Sequence, residues 1–211
     1  MSRESAGWSR RAGLWRRLRA VLAGGLVFGI GATLTLAAWN DSEYAAGQFA
    51  ASTFATESRS NSGAIWVSTT QGSPATLDFA AATMSPTVSH YAYLDVRTTA
   101  ASTVGGAVAL DSASKTGTLA AVLEYRTVLI GSTATCNAAA FSGSPTWVAG
   151  GASTYLAGGT MPTTPPNTAL SAGAANTLRY CFDVRVTTGA PNTYQGTSGT
   201  LTWGFLATSS S

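Results

Sequence analysis

The sequence predicts an all-β protein: a jelly-roll-like β-sandwich that follows a cleaved N-terminal signal segment. Three observations carry this prediction. Apolar and polar residues alternate with a period of two in several stretches, while helical periodicity is scarce. Clusters of Gly, Pro, Ser and Asn punctuate those stretches. At the N-terminus, a basic stretch gives way to an uncharged apolar one.

The leader comes first. Residues 1–19 carry Arg3, Arg10, Arg11, Arg16, Arg17 and Arg19 against a single acid, Glu4. No charge occurs from Ala20 to Trp39, and the run closes on the small residues Leu36-Ala37-Ala38. A basic region, an apolar core and a small-residue end are the parts of a secretory signal. The competing reading is a membrane anchor held by its basic flank, since 20 uncharged residues are long enough to span a bilayer. Glycines and threonines within the run dilute its hydrophobicity and favour cleavage, at Ala38–Trp39. Ser9-Arg10-Arg11 also resembles the start of a twin-arginine signal. Residues 1–38 hold half of the 12 basic residues, so without them the net charge of +3 turns slightly negative. The remaining basic residues, Arg59, Arg97, Lys115, Arg126, Arg179 and Arg185, are scattered along the chain and offer no stripe for phosphates, which argues against nucleic-acid binding.

Strand patterns fill the rest of the chain. Leu178–Val186 sets Leu178, Tyr180, Phe182, Val184 and Val186 on one face against Arg179, Cys181, Asp183 and Arg185 on the other, as in a strand buried on one side. His90–Thr98 alternates Ala92, Leu94 and Val96 with Tyr91, Tyr93, Asp95 and Arg97. Leu119–Ile130 reads as one long strand, and Leu201, Trp203 and Phe205 alternate near the C-terminus. Val104–Leu110 and Ile65–Thr69 are weaker strand candidates, and Ala80–Thr83 and Ala172–Asn176 are candidate helical turns. Gly158–Asn167 holds three prolines, which remove ladder donors, so it is a surface loop or an edge cover. The division expected is a signal segment over 1–38, with its basic part at 1–19 and its apolar part at 20–38. A terminal segment and Ser/Asn-rich spacer occupy 39–63, and the sandwich occupies 64–211.

Chemistry-bearing residues are few. The two cysteines, Cys136 and Cys181, read as a disulfide in an exported chain, with a pair of free buried thiols as the alternative. Closing that loop of about 45 residues stabilises by roughly 4 kcal/mol in the chain-entropy account. The lone histidine, His90, lies inside a strand pattern with no nucleophile motif near it, so no catalytic triad is expected. One histidine and a bonded cysteine pair do not make an ordinary zinc site. Asp41 and Glu43 are read as a solvated pair rather than a calcium site. No cofactor is expected. Trp66, Trp147, Trp203 and the tyrosines are read as core or interface, with a glycan-binding surface as the alternative.

The junction behind the leader carries a resemblance. Leu36-Ala37-Ala38-Trp39-Asn40-Asp41-Ser42-Glu43-Tyr44, with Phe49 and Phe54 further on, is similar to the processing region of the TasA/camelysin family of exported proteins of Gram-positive bacteria. There a SipW-type signal peptidase cuts before an aromatic residue followed by a small or polar residue and Asp. Tyr180-Cys181-Phe182-Asp183-Val184, Pro191-Asn192-Thr193-Tyr194-Gln195-Gly196 and Trp203-Gly204-Phe205 resemble the endings of such proteins, and Met84-Ser85-Pro86 resembles a Met-x-Pro segment before a strand. Thr87 and Ser52 stand where the family often has Gly.

The resemblance implies a jelly-roll sandwich and a secreted or cell-surface structural protein, a subunit of a biofilm-matrix-type fibre. Its expected partners are a SipW-type signal peptidase and other copies of itself, with the membrane touched only through the uncleaved leader. Head-to-tail strand addition would use the segment with Tyr44, Phe49 and Phe54. The alternative is a surface binding module that does not polymerise. Some relatives are described as proteases, which the residues here do not support.

Overall fold

The computed structural model describes residues 15, 17–22, 47–48, 50–81 and 84–210. The chain divides into two units, Met1–Phe49 and Ala50–Ser211, and the second is an all-β sandwich, the fold class expected. Among the described residues no helix is long and apolar enough to cross a membrane.

The larger sheet joins β1 (Thr56–Ser60), β2 (His90–Thr98), β8 (Leu178–Val186), β4 (Leu123–Ile130) and β5 (Thr146–Ala149) in that order, with the short β6 (Leu156–Ala157) also pairing β4. The smaller sheet has the order β7 (Thr168–Leu170), β3 (Gly106–Thr116), β9 (Thr200–Ser209). All these pairings are antiparallel. Between them lies an apolar core of Val96, Val108, Leu110, Tyr125, Tyr180, Phe182 and Val184, joined by Trp203 and Phe205. Trp203 meets Tyr125 edge-on at 5.3 Å between ring centroids and Phe182 at 4.6 Å, so β9 lies over the centre of the large sheet.

The alternating strands form where the sequence places them, with β2 and β8 at the expected limits. Four differences have physical causes. First, β8 is buried on both faces, with only Arg185 partly open, because the chain after β4 folds back over the sheet and makes a third layer. There Phe141 packs on Val128 and Cys181, beside Trp147 of β5. Second, Leu119–Val122 is a 3-10 turn, and β4 begins only at Leu123. Ala120, fully buried, sits so close to Gly199 that no side chain fits there, and Leu119 N–H bonds Ser198 O at 3.0 Å.

Third, β3 starts at Gly106 rather than Val104 and runs on to Thr116 through a bulge at Asp111. Its second half is solvent-facing, so it has no apolar alternation to read. Ile65–Thr69 forms no strand, and Val67 makes only a single bridge to Ser58. Fourth, the sheet begins at Thr56, inside the 39–63 stretch read as tail and spacer. Ser58 and Ser60 are small enough to lie buried on β1 and behave as sheet residues, not linker.

Candidate functional site

The broad charged face of the large sheet offers the first candidate. Five arginines that are scattered in sequence meet there, each on a carboxylate. Arg179 grips Asp95 through two bonds, Nε to Oδ1 at 2.7 Å and Nη2 to Oδ2 at 2.9 Å. Arg59 Nη2 donates to the same Asp95 Oδ2 at 2.9 Å. Asp183 Oδ2 accepts from Arg126 Nε at 2.9 Å and Tyr155 OH at 2.7 Å. Arg97 pairs with Glu57, and Arg185 with Glu124, both at 2.7 Å.

These pairs arise from register, since Glu57 faces Arg97, Arg59 faces Asp95, Asp95 faces Arg179, Asp183 faces Arg126, and Arg185 faces Glu124 across neighbouring strands. Aromatic planes cover the guanidinium groups: Trp66 lies 3.9 Å from Arg97, Tyr93 3.9 Å from Arg179, and Tyr155 3.6 Å from Arg185. The bonds to Asp95 hold the Arg179 proton more tightly than usual. Among the described residues each of these arginines is paired with a carboxylate, while Asp183 Oδ1 and Arg59 Nε lie buried without a hydrogen-bond partner.

The edge of the small sheet is the second candidate. β9 pairs with β3 on one side and, among the described residues, ends the sheet on the other. Over its ten residues, Thr-Leu-Thr-Trp-Gly-Phe-Leu-Ala-Thr-Ser, it has no charge and no proline. Soluble sandwiches usually protect such an edge with Lys, Pro, a bulge or a short strand. Here Leu206 is 56% exposed. Beside the Thr200 end of β9 lies a cavity of about 530 Å³ between Phe79, Met84, Leu123, Val184, Leu201 and Trp203, with the Tyr194–Gly199 loop at its rim.

The residues expected to matter are spread over the fold. Cys136 and Cys181 form the disulfide, with Cα atoms 5.4 Å apart, and it fastens the third layer to the middle of β8. It points to an oxidising, extracytoplasmic environment. Ala38, Trp39, Asp41, Glu43, Tyr44 and Phe49 lie outside the described residues. Phe54 is half-buried on its own domain, its ring over Gly106, where a Cβ would come within 2.9 Å of it. Thr53 N–H and Ala55 N–H bond Thr103 Oγ1 at 2.9 Å and Ser102 Oγ at 3.0 Å, so the stretch from Thr53 onward is tied to the loop after β2.

His90 opens β2 and, among the described residues, has no carboxylate or nucleophile bonded to it. Among the described residues no three His, Cys, Asp or Glu side chains cluster as metal ligands would. Trp66, Trp147 and Trp203 are all partly buried against neighbours. The β9 edge escaped the sequence reading because strand order is a long-range property. Its absence of charge was the signal available.

No family model matches the chain. No curated protein matches it either.

Proposed function

We propose that this chain is a secreted or cell-surface structural protein, a subunit of an extracellular matrix-type fibre built by head-to-tail strand addition, and not an enzyme. The observation that carries the reading is β9, a ten-residue strand without charge or proline that ends its sheet among the described residues. Unpaired backbone donors and acceptors along such an edge take up an incoming strand, and alternate side chains seat in the adjoining pockets. The disulfide fits a protein that works outside the cytoplasm.

The donor is the stretch behind the leader, with Tyr44 and Phe49. It carries no charge from Tyr44 to Phe54 and matches β9 in that respect. Its processing region resembles that of the TasA/camelysin family, which motivates removal of the leader at Ala38–Trp39 by a SipW-type peptidase. The binding-module alternative draws less support, because the tryptophans of the sandwich pack on arginines or in the core.

Electron microscopy of the secreted protein tests the reading, together with N-terminal sequencing. Filaments from a chain beginning at Trp39 are expected. A chain that keeps Arg16 and Arg17, or that stays monomeric at high concentration, counts against it. Proline at Ala50 and Ser52 is expected to lower assembly and leave the monomer folded, because those backbone N–H groups make no bond to the described residues of the domain.

A further inference from the structure

We propose that the cavity of about 530 Å³ at the Thr200 end of β9 is a binding site for a small uncharged molecule with an apolar body and an acceptor oxygen at one end, such as an aryl ketone. This site goes beyond the fibre reading and does not depend on it.

Both sheets build the cavity. Leu123 of β4 and Val184 of β8 are buried at its floor, and Leu201 and Trp203 of β9 line one wall. Cavities of about 300–1,000 Å³ suit small-molecule ligands. The walls are fixed independently of one another. Trp203 is packed on Phe182 at 4.6 Å and on Tyr125 at 5.3 Å between ring centroids, while β4 and β8 are paired from Leu123 onward.

A second wall comes from the extended stretch Ala75–Ala81, where Leu77 and Phe79 pack on the core and Thr76, Asp78 and Ala80 are exposed. The Phe79 ring lies 6.3 Å from Trp203. Asp78 N–H donates to Asn61 Oδ1 at 3.2 Å and Ser62 Oγ donates to Thr76 O at 2.6 Å, so this wall is held from outside the cavity. The rim loop Tyr194–Gly199 is held as well. Leu119 N–H donates to Ser198 O at 3.0 Å, and Thr197 Oγ1 donates to Tyr194 O at 2.7 Å. Walls anchored separately relax only partly toward a space between them, so the space persists.

The lining sets the class of ligand. Among the described residues no charged side chain lines the cavity, so a carboxylate, phosphate or ammonium group would be desolvated there without a partner. A sugar would turn several hydroxyls onto the apolar floor. Phe79, Met84 and Trp203 instead suit a flat hydrocarbon body. Polarity gathers at the mouth, where Gln195, Gly196 and Ser198 are exposed. Among the described residues the N–H groups of Gly196 and Ser198 make no backbone hydrogen bond. Backbone donors at the mouth match an acceptor oxygen on the ligand.

The test uses the exported protein at concentrations where sedimentation shows monomers. The probe is prodan, an uncharged naphthalene ketone whose emission shifts to the blue in apolar surroundings. The proposal expects saturable binding at a single site and a melting temperature that rises with probe concentration. Ala81→Phe fills the cavity from its wall and is expected to weaken binding by roughly tenfold or more. Leu119→Trp narrows the same space and replaces it if Ala81→Phe melts early. Leu206→Lys, on β9 outside the cavity, is expected to leave binding unchanged. Acetylnaphthalene is expected to displace prodan, and naphthoate, the same ring with a carboxylate, to fail even in about tenfold excess.

No saturable binding to the wild type overturns the site. Binding that survives both cavity variants, or that is lost in Leu206→Lys, places the probe elsewhere and overturns it too. Displacement by naphthoate as effective as by acetylnaphthalene overturns the uncharged class.

Discussion

The six-stranded sheet has at its centre β8, buried on both faces, whereas the three-stranded sheet ends in a bare strand among the described residues. On the large sheet, each of the five arginines has a carboxylate and an aromatic plane, and a disulfide holds a third layer across β8. On the small sheet, β9 has a described partner on one side only and no charge to deter another. The contrast separates two uses of the same strand geometry. One sheet is closed by side chains, and in the other β9 has no backbone partner on its outer side among the described residues.

The contrast is broken most forcefully at Asp95, which is fully buried between Arg59 and Arg179. Asp95→Ala strands two cations beside a buried site, and urea denaturation is expected to show a loss of about 3–5 kcal/mol. Replacing both Cys136 and Cys181 by alanine releases the third layer and is expected to cost roughly 2–4 kcal/mol by the same measurement.

Alkaline pH probes the core shared by the sheets. Burial pushes both Tyr125 and Tyr180 up to about 12 from the ordinary 10.0. The unfolded chain loses these protons first, so stability is full below about pH 10 and falls as pH rises toward 12. The expected loss is on the order of 2 kcal/mol for each ring, followed as melting temperature against pH. The smallest effect on stability belongs to the open edge. Leu206→Lys on the exposed face of β9 is expected to change stability by less than about 0.5 kcal/mol while placing a charge where another strand would pair.

The two sheets also differed in how far the sequence revealed them. β2 and β8 alternate over nine residues each, and their limits were readable because one face of each had to be apolar. The disulfide was legible because there are two cysteines in a chain with an export-like leader. What the pattern could not reveal depends on distant partners. Asp95, Arg179 and Asp183 read as a solvent face, yet they are buried: Asp95 lies between Arg59 and Arg179, Arg179 lies against the Tyr93 ring and bonds Ala134 O, and Asp183 is held by Arg126 and Tyr155. Ala75–Ala81 has alternation but too few large side chains to announce itself, and its place next to β9 is set by tethers from Asn61 and Ser62. The polar half of β3 and the edge position of β9 likewise depend on which strands become neighbours.

The most direct measurement of the central claim compares the secreted wild-type protein and Leu206→Lys at equal concentration by electron microscopy and sedimentation, with matching melting curves. The account predicts filaments from the wild type, monomers from the variant, and one melting temperature for both monomers. Filaments that form equally well from both, or a wild type that remains monomeric throughout, would contradict it.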